Sequence, residues 1–273
     1  MTRRLEDLTE AARSVIAASA SPVVLCGGDG TYLAGVTALV RAAGSLELPP
    51  IVLARGGTVS IVARNWGTSR HIEDTIRRVV EAPTELEVVA RPSLAVEARG
   101  ETRVGFTFGT GLVAKFFTEY ERRGAGGNRA ALAIALGVFF DSLRGGPYAH
   151  RILSPLPCRI SVEGDALEPP AFSLVLCSVL RDVGLHMLVT HRAGEDHVRP
   201  HLVASPLSPR ALGPQWPRVA LGKPLLGSGN FDGLVRSFRV DFPDEDGSYV
   251  LDGDTFRAGS VTVRAGPLLR VAT

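Results

Sequence analysis

Lysine is nearly absent from this sequence: Lys115 and Lys223 are the only two among 273 residues, and arginine supplies the rest of the 30 basic side chains. Against 28 acidic residues this leaves a formal charge of +2, too weak a field to draw the chain onto nucleic acid. Cysteine is scarce as well. Cys26, Cys158 and Cys177 are odd in number, far apart and set in apolar runs. That excludes a disulfide frame or a cysteine zinc site, and reads as buried thiols in a reducing compartment. No apolar run reaches the ~18 residues of a membrane span; the longest, residues 130–143, has the length of a core helix. Glu6, Asp7 and Glu10 interrupt the opening stretch, which therefore lacks the pattern of a secretory signal. The expected location is cytoplasmic. What is plentiful is apolar side chain, 45% of residues against 21% charged, which rules out wholesale disorder. The length suits one large domain or two small ones.

Leu5, Leu8, Ala12, Val15 and Ile16 recur at helical spacing and predict an amphipathic helix to about residue 18. Ser21-Pro22 ends it, and residues 23–26 follow as a short buried strand. Gly27-Gly28-Asp29-Gly30-Thr31 must turn sharply before a helix over 32–43. A second strand, 50–54, leads to Gly56-Gly57-Thr58 and a helix over 59–66, with Gly67 just past its end. Another helix covers 73–81, until Pro83. This alternation predicts a parallel α/β sheet. Beyond Pro83 the pattern turns to strands: 85–98 as two, hinged at Pro92, then 103–108. After a helical insert at 113–143 come 158–162, 172–179, 185–190, 238–242, 249–251 and 260–264. This half reads as an antiparallel sandwich. The expected domains are 1–88 and 89–273, with the last strand free to return to the first domain. Residues 204–229, rich in proline and glycine, read as a surface excursion.

The backbone N–H groups of a glycine turn, with those opening the helix behind it, make a cradle for phosphate. Gly27, Gly28 and Gly30 suit that role, and Thr31 can cap the helix or donate its hydroxyl to a phosphate. Asp29 would repel a phosphate. Either a divalent cation stands between them, or the carboxylate faces an acceptor hydroxyl and takes its proton; the plainer alternative is a helix cap. Gly56-Gly57-Thr58 ends a neighbouring parallel strand, so both loops can flank one crevice. The sequence carries neither a Walker Gly-Lys-Ser/Thr nor a dinucleotide G-x-G-x-x-G at these loops. Asp252-Gly253-Asp254 reads either as an Asp-Gly hairpin turn or as two carboxylates for magnesium. His186, His191, His197 and His201 lack metal-ligand spacing and read as turn or solvated residues. No G-x-S-x-G elbow exists. Trp66 and Trp216 read as packing residues. The stretch 130–140 is either a core helix or one wall of an acyl-chain cleft.

Residues 23–39, the run Arg55-Gly56-Gly57-Thr58-Val59-Ser60-Ile61-Val62-Ala63-Arg64-Asn65-Trp66-Gly67 and Leu251-Asp252-Gly253-Asp254, in that order, resemble the bacterial diacylglycerol kinase family. That family includes sphingosine and ceramide kinases and is related to NAD kinases. Residues 261–267 are similar to its closing strand. The GGDGT loop is specific to the superfamily, and the helix after the second loop favours the lipid-kinase branch. The resemblance implies an α/β nucleotide-binding domain followed by an antiparallel β-sandwich substrate domain. It implies ATP- and Mg2+-dependent phosphorylation of a lipid hydroxyl, of the diacylglycerol or the sphingoid and ceramide type. Gly27, Gly28, Asp29, Gly30, Thr31, Gly57, Thr58 and Ser60 would meet the nucleotide, Asp29 and Asp252 would be catalytic, and Asp252 and Asp254 would hold magnesium. A lipid substrate implies peripheral contact with the inner membrane surface, and a homodimer is allowed. The rival expectations are an NAD kinase and a weakened member that binds nucleotide or lipid without turnover. Four departures stand out. Ser60 replaces a usual Asn, Val113 replaces an acid, Asp254 replaces Glu, and the family's opening strand with its Asn-Pro-x-x-Gly loop has no counterpart. The last departure leaves three expectations: a truncated start, a sheet completed by another chain, or lost chemistry.

Overall fold

The computed structural model describes residues 5–57, 59–69, 71–82, 85–124 and 127–273. The first third alternates α1 (Leu5–Ala17), β1 (Val23–Gly27), α2 (Asp29–Ala43), β2 (Ile51–Arg55), α3 (Ile61–Asn65), α4 (Ile72–Glu81) and β3 (Val88–Arg91). Strands follow as β4 (Leu94–Ala98), β5 (Glu101–Gly105) and β6 (Thr107–Gly111), then helices α5 (Leu112–Arg122), α6 (Gly127–Arg144) and α7 (Pro147–Leu153). After them come β7 (Leu156–Pro157), β8 (Arg159–Val162), β9 (Asp165–Ala166), β10 (Ala171–Phe172), β11 (Leu174–Ser178) and β12 (His201–Ser205). The short helices α8 (Pro209–Leu212) and α9 (Trp216–Ala220) precede β13 (Phe231–Leu234), β14 (Ser237–Asp241), β15 (Gly247–Leu251), β16 (Asp254–Ala258), β17 (Ser260–Ala265) and β18 (Leu269–Ala272).

β1 and β2 pair in parallel, Val23 opposite Ile51 through Gly27 opposite Arg55, so both glycine loops leave the same end of the sheet. The sheet order is β1-β2-β18-β3: the last strand of the chain lies beside β2 in parallel and beside β3 antiparallel. Apart from the short β7–β10 pair, the remaining strands form two six-stranded antiparallel sheets, ordered β13-β12-β11-β6-β15-β16 and β5-β4-β17-β14-β8-β9. Phe108 on β6 meets Phe238 on β14 edge-on, with ring centres 5.6 Å apart, and marks the core between the two sheets. The expected architecture, an α/β sheet followed by an antiparallel sandwich, is the one observed.

The two halves are joined by more than chain crossings. Thr37 on α2 donates its hydroxyl to the Val104 carbonyl (3.3 Å) and accepts the Val104 N–H (2.9 Å), so α2 satisfies the edge strand β5. Where the chain crosses between sheets, the Ser93 hydroxyl donates to the Pro267 carbonyl at 2.6 Å and Gly266 N–H to the Ser93 carbonyl at 2.8 Å.

Several expectations differ from the structure. Residues 185–190 form turns, not a strand, because Leu185 and His186 both take positive φ and break any extended run. α2 begins at Asp29, three residues earlier than expected, and α3 begins at Ile61, two residues later, after Ser60 in the left-handed region. Cys26 is exposed, since its side chain alternates outward along β1, whereas Cys158 and Cys177 are buried. β12, β13 and β16 lay hidden in histidine-, glycine- and charge-containing stretches. His201 is a fully buried strand residue rather than a solvated one, its Nε2 hydrogen-bonded to Asp232 at 2.7 Å.

Candidate active site

The first glycine loop and the start of α2 are one structure. Gly28 caps α2 with no side-chain hydrogen bond, so Asp29, Gly30 and Thr31 form the helix's first turn and the N-cap offers its leading N–H groups no side-chain partner. Glycine is needed at these positions for close approach. A Cβ on Gly27 would strike the Thr31 side chain at 2.3 Å, and one on Gly57 would strike the Gly28 Cα at 2.5 Å. Gly56 N–H donates to the Gly27 carbonyl at 2.9 Å, so the two glycine loops touch backbone to backbone. Part of the glycine richness thus serves loop contact. Thr58 lies outside the described residues.

Asp29 crosses between the loops. Its two carboxylate oxygens accept the Ile61 and Val62 N–H groups at 2.9 and 3.0 Å, capping α3 rather than α2. Burial pushes its carboxyl above the ordinary range, against those two N–H bonds and the charges of Arg64 and Arg55. Ser60 is buried in the same corner, with its hydroxyl on the Gly57 carbonyl at 3.3 Å. Beside it the Tyr32 hydroxyl donates to the Ala54 carbonyl at 3.1 Å, and burial pushes that phenol up to about 12.

Asp252 and Gly253 both take positive φ and turn β15 directly into β16, the type I′ pattern that Asp-Gly favours. The hairpin reading of the sequence therefore holds, and the turn also delivers two acids to the site. The Asp252 carboxylate accepts the Thr107 N–H at 2.8 Å and the Phe106 N–H at 3.0 Å. Burial first, and the Asp29 charge second, drive its carboxyl well above the ordinary range. Asp254 lies against the first glycine loop: a Cβ on Gly30 would stand 3.1 Å from its Oδ2.

Asp29 and Asp252 both line a cavity of ≈ 370 Å³, within the size range of small-molecule sites. Its wall is otherwise almost wholly apolar, with Val113, Phe116, Ala131, Ala135, Val138 and Leu176 among its members. Helix α6 thus supplies one wall, a role the apolar run could only suggest. Val113, where the resembled family has an acid, is one more apolar wall residue. Sequence reasoning missed Thr107 and Phe106, whose backbone N–H groups hold Asp252; backbone donors leave no side-chain signal. Away from the cavity's acids, His191, His201 and Asp232 come together, with ligating atoms within 4.8 Å of one another. Their separation along the chain hid that grouping.

These features define a class. A parallel α/β sheet with paired glycine loops beside an antiparallel sandwich is the fold of bacterial diacylglycerol kinases. A crystal structure of a diacylglycerol kinase from Bacillus anthracis str. Sterne superposes with a TM-score of 0.62 at 14% identity, over 99% of this chain and 82% of that one. A second protein of that strain, provisionally described as a diacylglycerol kinase, gives 0.63 at 15% identity, over 97% and 81% of the two chains. At such identities the likeness is one of fold. No curated protein sequence matches the chain. Residues 1–90, the N-terminal third of the chain, match the family model for the diacylglycerol kinase catalytic domain.

Proposed function

We propose that the protein transfers the γ-phosphate of ATP to a hydroxyl of a lipid, of the diacylglycerol or the sphingoid and ceramide type. One observation carries the reading: an otherwise apolar cavity is lined by two carboxylates, Asp29 and Asp252, and Asp29 itself bridges from the first glycine loop to the helix after the second. An acyl chain suits the apolar wall, and a hydroxyl at the carboxylate end would face the phosphate cradle. The helix N-terminus at Gly28 and the loop at Gly57 would hold the nucleotide phosphates. Burial raises the proton affinity of both carboxylates, and the Asp29 charge adds to it at Asp252, which suits Asp252 to accept the hydroxyl proton.

The residues fit magnesium. Asp254 offers carboxylate oxygens beside Gly30, and a hard cation bound through one or two carboxylates plus phosphates is the usual arrangement. Asp252 keeps oxygen lone pairs beyond its two backbone bonds. Magnesium when bound would neutralise charge on the phosphates; positioning supplies most of the remaining rate.

Incubation with labelled ATP and magnesium, with a mixed lipid extract in detergent micelles, tests the proposal. Label should pass to lipid and none to NAD. Transfer to NAD would overturn it in favour of a nucleotide acceptor. Stabilisation by ATP without transfer to either would favour a binding-only member, a reading motivated by Val113 and by two acids already bonded to backbone N–H groups.

A further inference from the structure

Helix α6 turns apolar side chains outward as well as inward. Ala131, Ala135, Val138 and Phe139 line the cavity. On the adjoining strip Leu132, Leu136, Phe140 and Leu143 stand 37 to 55% exposed. Their spacing of four, four and three residues puts them on one stripe. The excursion after β12 extends it: Trp216 meets Phe139 edge-on at 5.6 Å, and Leu221 and Leu226 are exposed at 70 and 59%. Exposed apolar side chains gathered on one helix and on the excursion packed against it mark an interaction surface.

Charge selects the partner. α6 and residues 209–226 carry five cations, Arg129, Arg144, Arg210, Arg218 and Lys223, against one acid, Asp141. That acid faces inward, accepting the Ala149 N–H at 2.8 Å. Arg144 and Arg218 reach backbone carbonyls, of Phe140 and Pro224, rather than carboxylates. In a chain of net charge +2 this is a concentrated basic surface.

We infer that α6 and the 209–226 excursion form a face that docks on an anionic lipid bilayer, with Phe140 and Leu143 among its inserted side chains. Exposed apolar side chains on segments that also carry arginine and lysine match an anionic interface, where apolar burial and headgroup attraction add. A second copy of the chain fits worse, because symmetric pairing would set these cations against their own kind. The purpose, though not the geometry, rests on the lipid-acceptor reading. The helix that walls the cavity would also lie in the bilayer, so an acyl chain would pass around α6 without crossing water.

Sedimentation of the full chain with vesicles tests this, using equal parts phosphatidylglycerol and phosphatidylcholine against phosphatidylcholine alone. Binding should fall at least about tenfold without the anionic lipid, the scale for losing a few basic contacts. The Phe140→Ser/Leu143→Ser double variant and the Arg144→Glu/Lys223→Glu double variant should each weaken binding to the mixed vesicles by about tenfold or more, while circular dichroism melts stay native-like. Phosphorylation of a short-chain, water-soluble diacylglycerol should be unchanged in both. Equal binding by variants and parent, or none by the parent, overturns the inference. So does a dimer in solution that Phe140→Ser/Leu143→Ser dissolves while vesicle binding persists. Vesicle binding by a chain that phosphorylates no lipid would keep this surface and remove the kinase reading.

Discussion

Asp29 holds two jobs with one carboxylate, and they respond differently to the loss of its charge. Asn in its place keeps one oxygen for a single N–H of α3 and sets an amide donor against the other. Asp29→Asn should therefore lower the stability of α3's start by about 1 kcal/mol, the scale of a lost helix cap. If Asp29 also takes the acceptor proton, phosphate transfer should fall a hundredfold or more. Denaturant melts and transfer assays on one preparation separate the two effects; near-normal transfer with reduced stability would leave Asp29 a cap alone. Gly57 tests the glycine loops in the same way. A methyl group there would stand 2.5 Å from the Gly28 Cα, a backbone atom that cannot swing aside. Gly57→Ala should cost about 1–3 kcal/mol as an overpacked contact and abolish thermal stabilisation by millimolar ATP. Retained stabilisation by ATP would show that the loops can part without loss of the site.

At the scale of elements, α5 carries a buried acid that acts as a clamp. Glu119 receives Arg122 at 2.9 Å and Arg123 at 2.8 Å, and its carboxyl is held down to about 2, first by the Arg122 hydrogen bond. A carboxyl lower in the folded than in the unfolded chain stabilises above the ordinary carboxylate range, and that stability is lost as pH falls towards 2. Glu119→Gln should lower the melting temperature by a few degrees at pH 7 and flatten the acid-side decline. Identical pH profiles for variant and parent would place the clamp's arginines in solvent rather than on Glu119. The clamp matters because α5 contributes Val113, Phe116 and Phe117 to the cavity wall.

At the scale of the molecule, β18 ties the end of the chain into the interior of the first sheet. Leu269 and Val271 are buried at 1% exposure, between β2 and β3, and each contributes roughly 2 kcal/mol of apolar burial. Ending the chain after Pro267 removes the strand from the interior of its sheet and opens two edges. The shortened protein should be insoluble or melt without a cooperative transition; a soluble, cooperatively folded product would show that the first sheet closes without it. The exposed Arg270–Glu47 pair, at 2.7 Å, adds little by comparison.

Local pattern was enough for much of this protein. Alternation of apolar strand, glycine turn and amphipathic helix stated the α/β domain, and Asp-Gly between two strands stated the β15–β16 hairpin, because turns and periodicity are properties of neighbouring residues. The GGDGT and GGT loops were legible as a pair for the same reason. Tertiary structure alone decided what those pieces met. Asp29 capping a helix 32 residues on, Asp252 held by the backbone of β6, Asp254 against Gly30, and α6 walling a cavity that two acids also line are all contacts between distant segments. Backbone donors and apolar walls have no side-chain signature of their own. Their positions follow from sheet order and packing, and only the folded chain supplies those.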